Sequence, residues 1–197
     1  MIIELLKKRC SVRKFENKKI PDDITNSILE AGRLSPSGGN EQSWKFGVIQ
    51  DKNLISKISN FAYKQNWLVT APLLIVLCTV IVGDDIDGRR IQKARFPRFE
   101  KEIDQMKKDF YSFINCEEHQ TKIPGSHMIL RAIEEGVYST WVSYFDVEKV
   151  SDLLGLPNNV IASEIIAFGY PKDNQVVTRK KKNLADIIFY NNFGESA

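Results

Sequence analysis

Histidine is scarce: the 197-residue chain has only His119 and His127. Neither stands in an HExxH pattern or has a cysteine or carboxylate at metal-ligand spacing. A Ser-His-acid triad would have to use His127, and no GxSxG elbow accompanies it. A lone histidine of this kind reads as a packing or capping residue. The three cysteines, Cys10, Cys78 and Cys116, are odd in number, far apart and without a CxxC pair. That excludes a disulfide framework or zinc site as the organising feature and points to a reducing compartment, so a cytoplasmic setting is expected. Glycine-rich phosphate loops are missing too: no GxGxxG follows a strand, and no GxxxxGK(S/T) occurs. The longest apolar run, Leu73–Val82, is ten residues interrupted by Thr79. It is half a bilayer span and reads as a buried strand. The first residues lack a signal-peptide layout, because Lys7, Lys8 and Arg9 follow Leu6 at once. Charge of one sign is also lacking. With 28 basic and 25 acidic side chains the net charge is +3, too mild to argue for nucleic acid.

What the chain does have is a set of anion-type donors. Arg9-Cys10-Ser11-Val12-Arg13-Lys14-Phe15 carries two arginines four apart with a hydroxyl between them. Guanidinium forks and a serine hydroxyl suit a phosphate. A second basic cluster, Arg179-Lys180-Lys181-Lys182, stands at the far end. A small-residue turn, Ser35-Pro36-Ser37-Gly38-Gly39-Asn40, lies between them in sequence.

The length and 43% hydrophobic content suit one domain, 1–197, with a sizeable core. Ile2–Lys8 reads as a short helix. Pro21-Asp22-Asp23 starts another, with Ile24, Ile28 and Ala31 on its buried face. A strand is expected over Lys45–Gln50. A helix capped by Asp51 or Asn53 follows, with Leu54, Ile58 and Phe61 on one face. Leu73–Val82 is apolar enough for a central strand covered on both sides. Asp84–Lys122 is charge-dense, and Phe99, Ile103, Met106, Phe110 and Phe113 recur in it at steps of four and three. That spacing predicts one amphipathic helix, packed on the core or serving as a lid. A further helix is expected after Pro124-Gly125, ending at Gly136. Then come a strand over Val137–Tyr144, a helix capped by Asp146 and closed by Gly155, and a strand over Val160–Gly169. The tail Leu184-Ala185-Asp186-Ile187-Ile188-Phe189-Tyr190 is too apolar to stay in water and must dock on its own body or a partner.

Donors, small-residue turns and aromatics without acid–base or nucleophilic machinery suit a protein holding a phosphorylated cofactor that brings its own chemistry. The chain resembles the nitroreductase family of flavin mononucleotide (FMN) enzymes over nearly its whole length. The Arg-x-Ser-x-Arg-x-Phe signature is matched by Arg9, Ser11, Arg13 and Phe15. The turn motif is matched by Ser35, Pro36, Ser37, Asn40, Gln42, Trp44 and Phe46. Gln65 and Trp67 precede Ala71-Pro72 and the apolar strand. Gly169-Tyr170-Pro171 precedes the basic cluster and an arm bearing Leu184 and Ile187. Three positions depart from the family pattern: Cys10 where a second arginine is common, Ser43 where proline is usual, and Ser143 where glycine is usual.

The resemblance implies an α+β fold: a mostly antiparallel sheet of four strands, flanked by helices and completed by one strand from the partner's C-terminal arm (179–197). It implies a homodimer with FMN at the interface, and Arg9, Ser11 and Arg13 on the ribityl phosphate. Arg179 and Lys181 would reach the same phosphate. Pro36, Ser37 and Asn40 would contact the flavin from the other subunit, with Gln65 and Ser143 near the ring. The implied activity is hydride transfer from NADH or NADPH to a nitroaromatic, quinone or similar acceptor by a ping-pong mechanism, with no catalytic side chain. Two alternatives are a specialised flavin enzyme of the same fold, dehalogenating or flavin-fragmenting, and a flavin-binding redox sensor without turnover. The segment 84–122 falls where the family varies beside its substrate pocket.

Overall fold

The computed structural model describes residues 2–63, 65–80, 92–106, 117–173, 176–177 and 179–191. Four antiparallel strands form one sheet: β1 (Trp44–Ile49), β2 (Leu73–Val80), β3 (Tyr138–Val142) and β4 (Val160–Gly169), in the order β1-β2-β4-β3. The two central strands are the most apolar. Every residue of β4 and all of β2 but Val80 are buried. Each large aliphatic side chain so buried contributes about 1.5–3 kcal/mol, which is why these two segments occupy the middle.

Side chains alternate between the two faces. On one, Leu74, Val76, Cys78 and Ile165 pack with Ile55 and Ile58 of α3 (Lys52–Phe61) and Val150 of the helix Val147–Leu153. On the other, Leu73, Ile75, Leu77 and Ile166 pack with Ile28 of α2 (Asp22–Arg33) and with Met128, Ile129 and Ala132 of a long helix near the middle of the chain. Helix α1 is Ile2–Lys8. Asp51 caps α3 by accepting from the Leu54 amide at 2.7 Å, and Asp146 caps Val147–Leu153 by accepting from the Lys149 amide at 3.1 Å.

Two helical expectations need correction. The long helix does not start after Pro124-Gly125. It runs Glu117–Glu134 with both residues inside. An internal proline costs about 3 kcal/mol through its missing hydrogen bond. Here Pro124 and Gly125 are buried, and the glycine lets the helix lie close on the sheet. A Cβ at Gly125 would stand 2.6 Å from Trp141 Cη2 and 2.7 Å from Leu77 Cδ1. The second correction is the proposed helix through Phe99–Phe113. Phe99 sits in a 3₁₀ turn, Pro97–Phe99, and is 52% exposed. Helix α4 covers only Glu100–Gln105, and Met106 is extended at φ −60°, ψ 133°. Ile103 is buried while Phe99 is not, so these two residues of the stripe share no packed surface. Phe110 and Phe113 lie outside the described residues, as do 84–91 and the rest of 107–116. In chain order the remaining helices are α5 (Glu117–Glu134) and α6 (Val147–Leu153).

Strand β4 contains a β-bulge. Leu77 pairs with Glu164 and Cys78 with Ala162, which leaves Ser163 without a partner. Ala162 and Ile165 both face the α3 side. The two residues between them therefore both turn to the α5 side, where regular alternation would send only one.

Candidate functional site

The stretch Arg9–Phe15 is extended, not a continuation of α1. Ser11 bridges Ser139 in parallel at the outer edge of β3, and Phe15 bridges Pro171. The Val12 amide donates to the Ser139 carbonyl at 3.2 Å, and the Thr140 hydroxyl donates to the Val12 carbonyl. Farther on, the Phe15 amide donates to Thr70 Oγ1 at 3.2 Å, and the Glu16 amide to the Tyr170 carbonyl at 2.9 Å. Cys10, Val12 and Phe15 enter the core. Arg9, Ser11 and Arg13 alternate with Cys10 and Val12 and stay accessible, Arg9 half-buried and the other two exposed. Arg9 and Ser11 line a pocket of about 260 Å³ with Leu130, Ser139 and Trp141. The family-atypical cysteine at position 10 is a core residue here.

A second cluster gathers at the other end of β3. Gln65, half-buried, donates from Nε2 to the Tyr144 carbonyl at 2.9 Å. Ser143 is exposed, and its hydroxyl donates to Glu164 Oε2 at 2.5 Å. The Tyr63 and Tyr144 rings meet beside it with centroids 4.7 Å apart. Ser139 and Ser143 are four residues apart on an extended chain, so about 13 Å separates the Arg9–Ser11 donors from this loop.

The small-residue turn between α2 and β1 is held internally. Ser37 Oγ accepts from the Gln42 amide at 3.0 Å, and the Asn40 side-chain oxygen accepts from Gln42 Nε2 at 3.2 Å. The Gly38 amide donates to Gln120 Oε1 of α5 at 2.6 Å. Pro36 and Asn40 are exposed and Ser37 half-buried. Arg179 and Lys181 are exposed on the tail. Among the described residues no hydrogen bond or ion pair joins either to Arg9, Ser11 or Arg13. The structure thus brings Arg9, Ser11 and Arg13 together at one end of β3, and Gln65 and Ser143 at the other. It leaves the turn and the tail apart from both. His127 is a packing residue, with its Nδ1 2.7 Å from the Ser35 hydroxyl.

Sequence reasoning missed Glu164. It is buried in β4, and its Oε2 accepts from Trp141 Nε1 at 2.5 Å as well as from Ser143. Its Oε1 lies 3.2 Å from Lys122 Nζ of α5. The signal was available: one carboxylate stands in the otherwise uncharged strand Val160–Gly169. A buried carboxylate needs partners. Next to it, Thr79 Oγ1 meets Thr121 Oγ1 at 2.8 Å and Ser163 Oγ at 2.6 Å, all three buried.

Similarity to known proteins bears on this arrangement. A model of the nitroreductase family matches residues 6–170. The chain belongs to the nitroreductase family. It is 25% identical over 178 residues to an NADH dehydrogenase of Thermus thermophilus, covering 84% of each chain. Its fold is that of an FMN-dependent nitroreductase from Clostridium difficile, with a TM-score of 0.73, 23% identity, and 97% of this chain and 99% of that one covered. It is also that of an NADPH:FMN oxidoreductase from Vibrio harveyi solved with NAD⁺, with a TM-score of 0.76, 20% identity, and 100% of this chain and 79% of that one covered. The four-stranded antiparallel sheet flanked by helices is the α+β architecture expected from the sequence. Among the described residues no helix is long and apolar enough to cross a membrane, and no cluster of ligating side chains fits a metal ion.

Proposed function

We propose that this nitroreductase-family chain is an FMN-dependent oxidoreductase that works as a homodimer and moves a hydride from NADH or NADPH to a nitroaromatic, quinone or similar acceptor. One observation carries the reading. The β3 edge holds two guanidinium groups and a hydroxyl in reach of solvent at one end, and an ordered polar loop about 13 Å away at the other. That donor set and spacing suit a phosphate joined by a ribityl chain to a planar ring.

Arg9, Ser11 and Arg13 hold the phosphate end, where charge-assisted hydrogen bonds are strong and guanidinium forks match phosphate oxygens. Arg179 and Lys181 reach the same phosphate from the arm. Gln65 and the Ser143 loop face the ring, and Pro36, Ser37 and Asn40 approach it from the partner subunit. When bound, FMN would supply the two-electron chemistry that joins the nicotinamide donor to the acceptor. The chain's own task is to bind, to orient and to keep the reacting faces dry. Donor and acceptor take one place in turn, so the kinetics are ping-pong, and parallel double-reciprocal lines are expected.

The deciding experiment is the absorption spectrum of the purified protein, the cofactor released on heating, and anaerobic mixing with NADH or NADPH. Bleaching of the flavin band supports the reading. Colourless protein that fails to take up added FMN ends it. Flavin that binds but does not bleach leaves the redox-sensor alternative in its place.

A further inference from the structure

We infer that Glu164 is a positioning residue that clamps the Ser143 loop, so that the loop presents its backbone N–H groups to the flavin when the ring takes on negative charge. The inference rests on the function proposed above. Glu164 pairs across the sheet with Leu77 and shares its α5 side, and the bulge at Ser163 brings that neighbour to the same side. Its side chain is 3% exposed. Oε2 accepts from Trp141 Nε1 and from Ser143 Oγ, both at 2.5 Å. These donors flank Val142, the last residue of β3. One oxygen therefore grips the chain on both sides of the point where it leaves the sheet. Lys122 Nζ, 3.2 Å from Oε1, supplies the countercharge from α5.

The far side of the loop is held as well. Gln65 Nε2 donates to the Tyr144 carbonyl at 2.9 Å, and the Asp146 amide donates to the Phe61 carbonyl at 2.9 Å. With carbonyl and hydroxyl engaged, the backbone N–H groups of Ser143 and Tyr144 have no acceptor among the described residues. Fixed donors without partners stabilise developing negative charge at no cost of reorganisation. A carboxylate close to that place would oppose the same charge, and the Lys122 ammonium offsets it. A glycine at 143, usual in the family, could not make the hydroxyl contact. The serine and the buried carboxylate are thus two halves of one device.

The test uses the full chain in two states. Without flavin, amide hydrogen exchange over residues 142–145 reports the clamp directly. Ser143→Ala, which alters no charge and no core residue, is expected to speed exchange there about tenfold, with Ser143→Thr restoring the wild-type rate. With FMN, Ser143→Ala is expected to weaken binding of reduced relative to oxidised flavin about tenfold, a fall in two-electron midpoint potential of about 30 mV. Ser143→Thr again restores it. Glu164→Ala should shift both readouts in the same direction, and adding Ser143→Ala to it should shift them little further, because the two act as one unit. If Glu164→Ala does not fold, the Ser143 pair decides alone. Unchanged exchange at 142–145 in Ser143→Ala overturns the clamp, and altered exchange with an unaltered potential overturns its role toward the flavin. A wild-type chain that binds no FMN overturns the proposed function and the flavin half of this inference, while the exchange data still decide the clamp.

Discussion

The Val12 amide donates to the Ser139 carbonyl at 3.2 Å, and this bond makes the N-terminal stretch a rim on the edge strand of the sheet. Val12 is fully buried, so its neighbours Ser11 and Arg13 are forced outward. Anchoring thereby falls to alternate residues of one short segment, and the proposed phosphate donors lie between them. Core residues hold the stretch in place, and the polar ones between them are left for a ligand.

The alternation predicts opposite effects from adjacent substitutions. Arg13→Ala removes an exposed charge, so unfolding by urea should change by no more than about 0.5 kcal/mol. The same change should raise the FMN dissociation constant about ten- to hundredfold, the equivalent of one charge-assisted hydrogen bond. Dimer dissociation should follow the loss of flavin. Val12→Ala should do the reverse, costing about 2 kcal/mol of stability with a smaller effect on affinity. Flavin fluorescence titrations and urea melts on both variants read the contrast. Full flavin occupancy in Arg13→Ala would remove the stretch from the binding site.

Much of this molecule was legible because its segments carry one signal each. The apolar run at 73–82 reads as a central strand and 160–169 as a strand, and β2 and β4 occupy the middle of the sheet; Asp51, Asp146 and Gly155 mark helix ends that the structure keeps. Helix α5 was misjudged because Pro124 and Gly125 normally punctuate, and here the close approach of Trp141 and Leu77 outweighs the local preference. The helix through Phe99–Phe113 was misjudged because periodicity reports a stripe and not what the stripe rests on. Glu164 went unseen because its partners come from far along the chain: Trp141 and Ser143 at the end of β3 and Lys122 on α5. Of the candidate site, the donors at 9, 11 and 13 were readable as a set. Their link to Gln65 and Ser143 by way of β3 needed the sheet register.

Gly169 is a packing requirement at the same rim. A Cβ there would stand 2.7 Å from Phe15 Cδ1 and 2.8 Å from Pro72 Cδ. Phe15 is buried and packs against Trp67, with ring centroids 6.4 Å apart. It has little room to retreat. Gly169→Ala should therefore cost about 1–3 kcal/mol by overpacking, seen as a lower urea midpoint with an unchanged slope. Unaltered stability would mean that Phe15 can move without loss.

Cys78 makes a pH-dependent contribution. Burial pushes its thiol up to about 11 from 9.0, partly opposed by a backbone hydrogen bond from Gly47. The raised value means that the folded chain keeps the proton after the unfolded chain has lost it. The contribution is whole below pH 9 and is lost as the pH rises from there through 11. Stability should decline across that window, and Cys78→Ala should flatten the decline. Native protein at pH 8 should also resist alkylation at Cys78 until it unfolds, because the thiolate is the nucleophile. Rapid labelling of that residue in the folded state would contradict the burial argument.

The tail carries the last prediction. Leu184 is 68% and Ile187 61% exposed, and Ile188, Phe189 and Tyr190 are exposed beside them. Asn183 and Asp186 nonetheless form a reciprocal capping box around the short 3₁₀ turn Leu184–Asp186. The segment has local order, and its large apolar side chains stay exposed. Burying five large apolar side chains is worth on the order of 1.5–3 kcal/mol each, and a second copy offers such a surface, with the exposed Ile2, Ile3 and Leu6 of α1 adding to it. Ending the chain after Asn183 keeps Arg179 and Lys181 but removes the apolar part of the arm. Sedimentation velocity is expected to show a dimer for the full chain and a monomer for the shortened one. FMN affinity should fall too, because the proposed contacts of Pro36, Ser37 and Asn40 with the flavin of the partner subunit would be lost. A shortened chain that stays dimeric would assign the interface to α1 and its neighbours, and the arm would have to fold back on its own subunit.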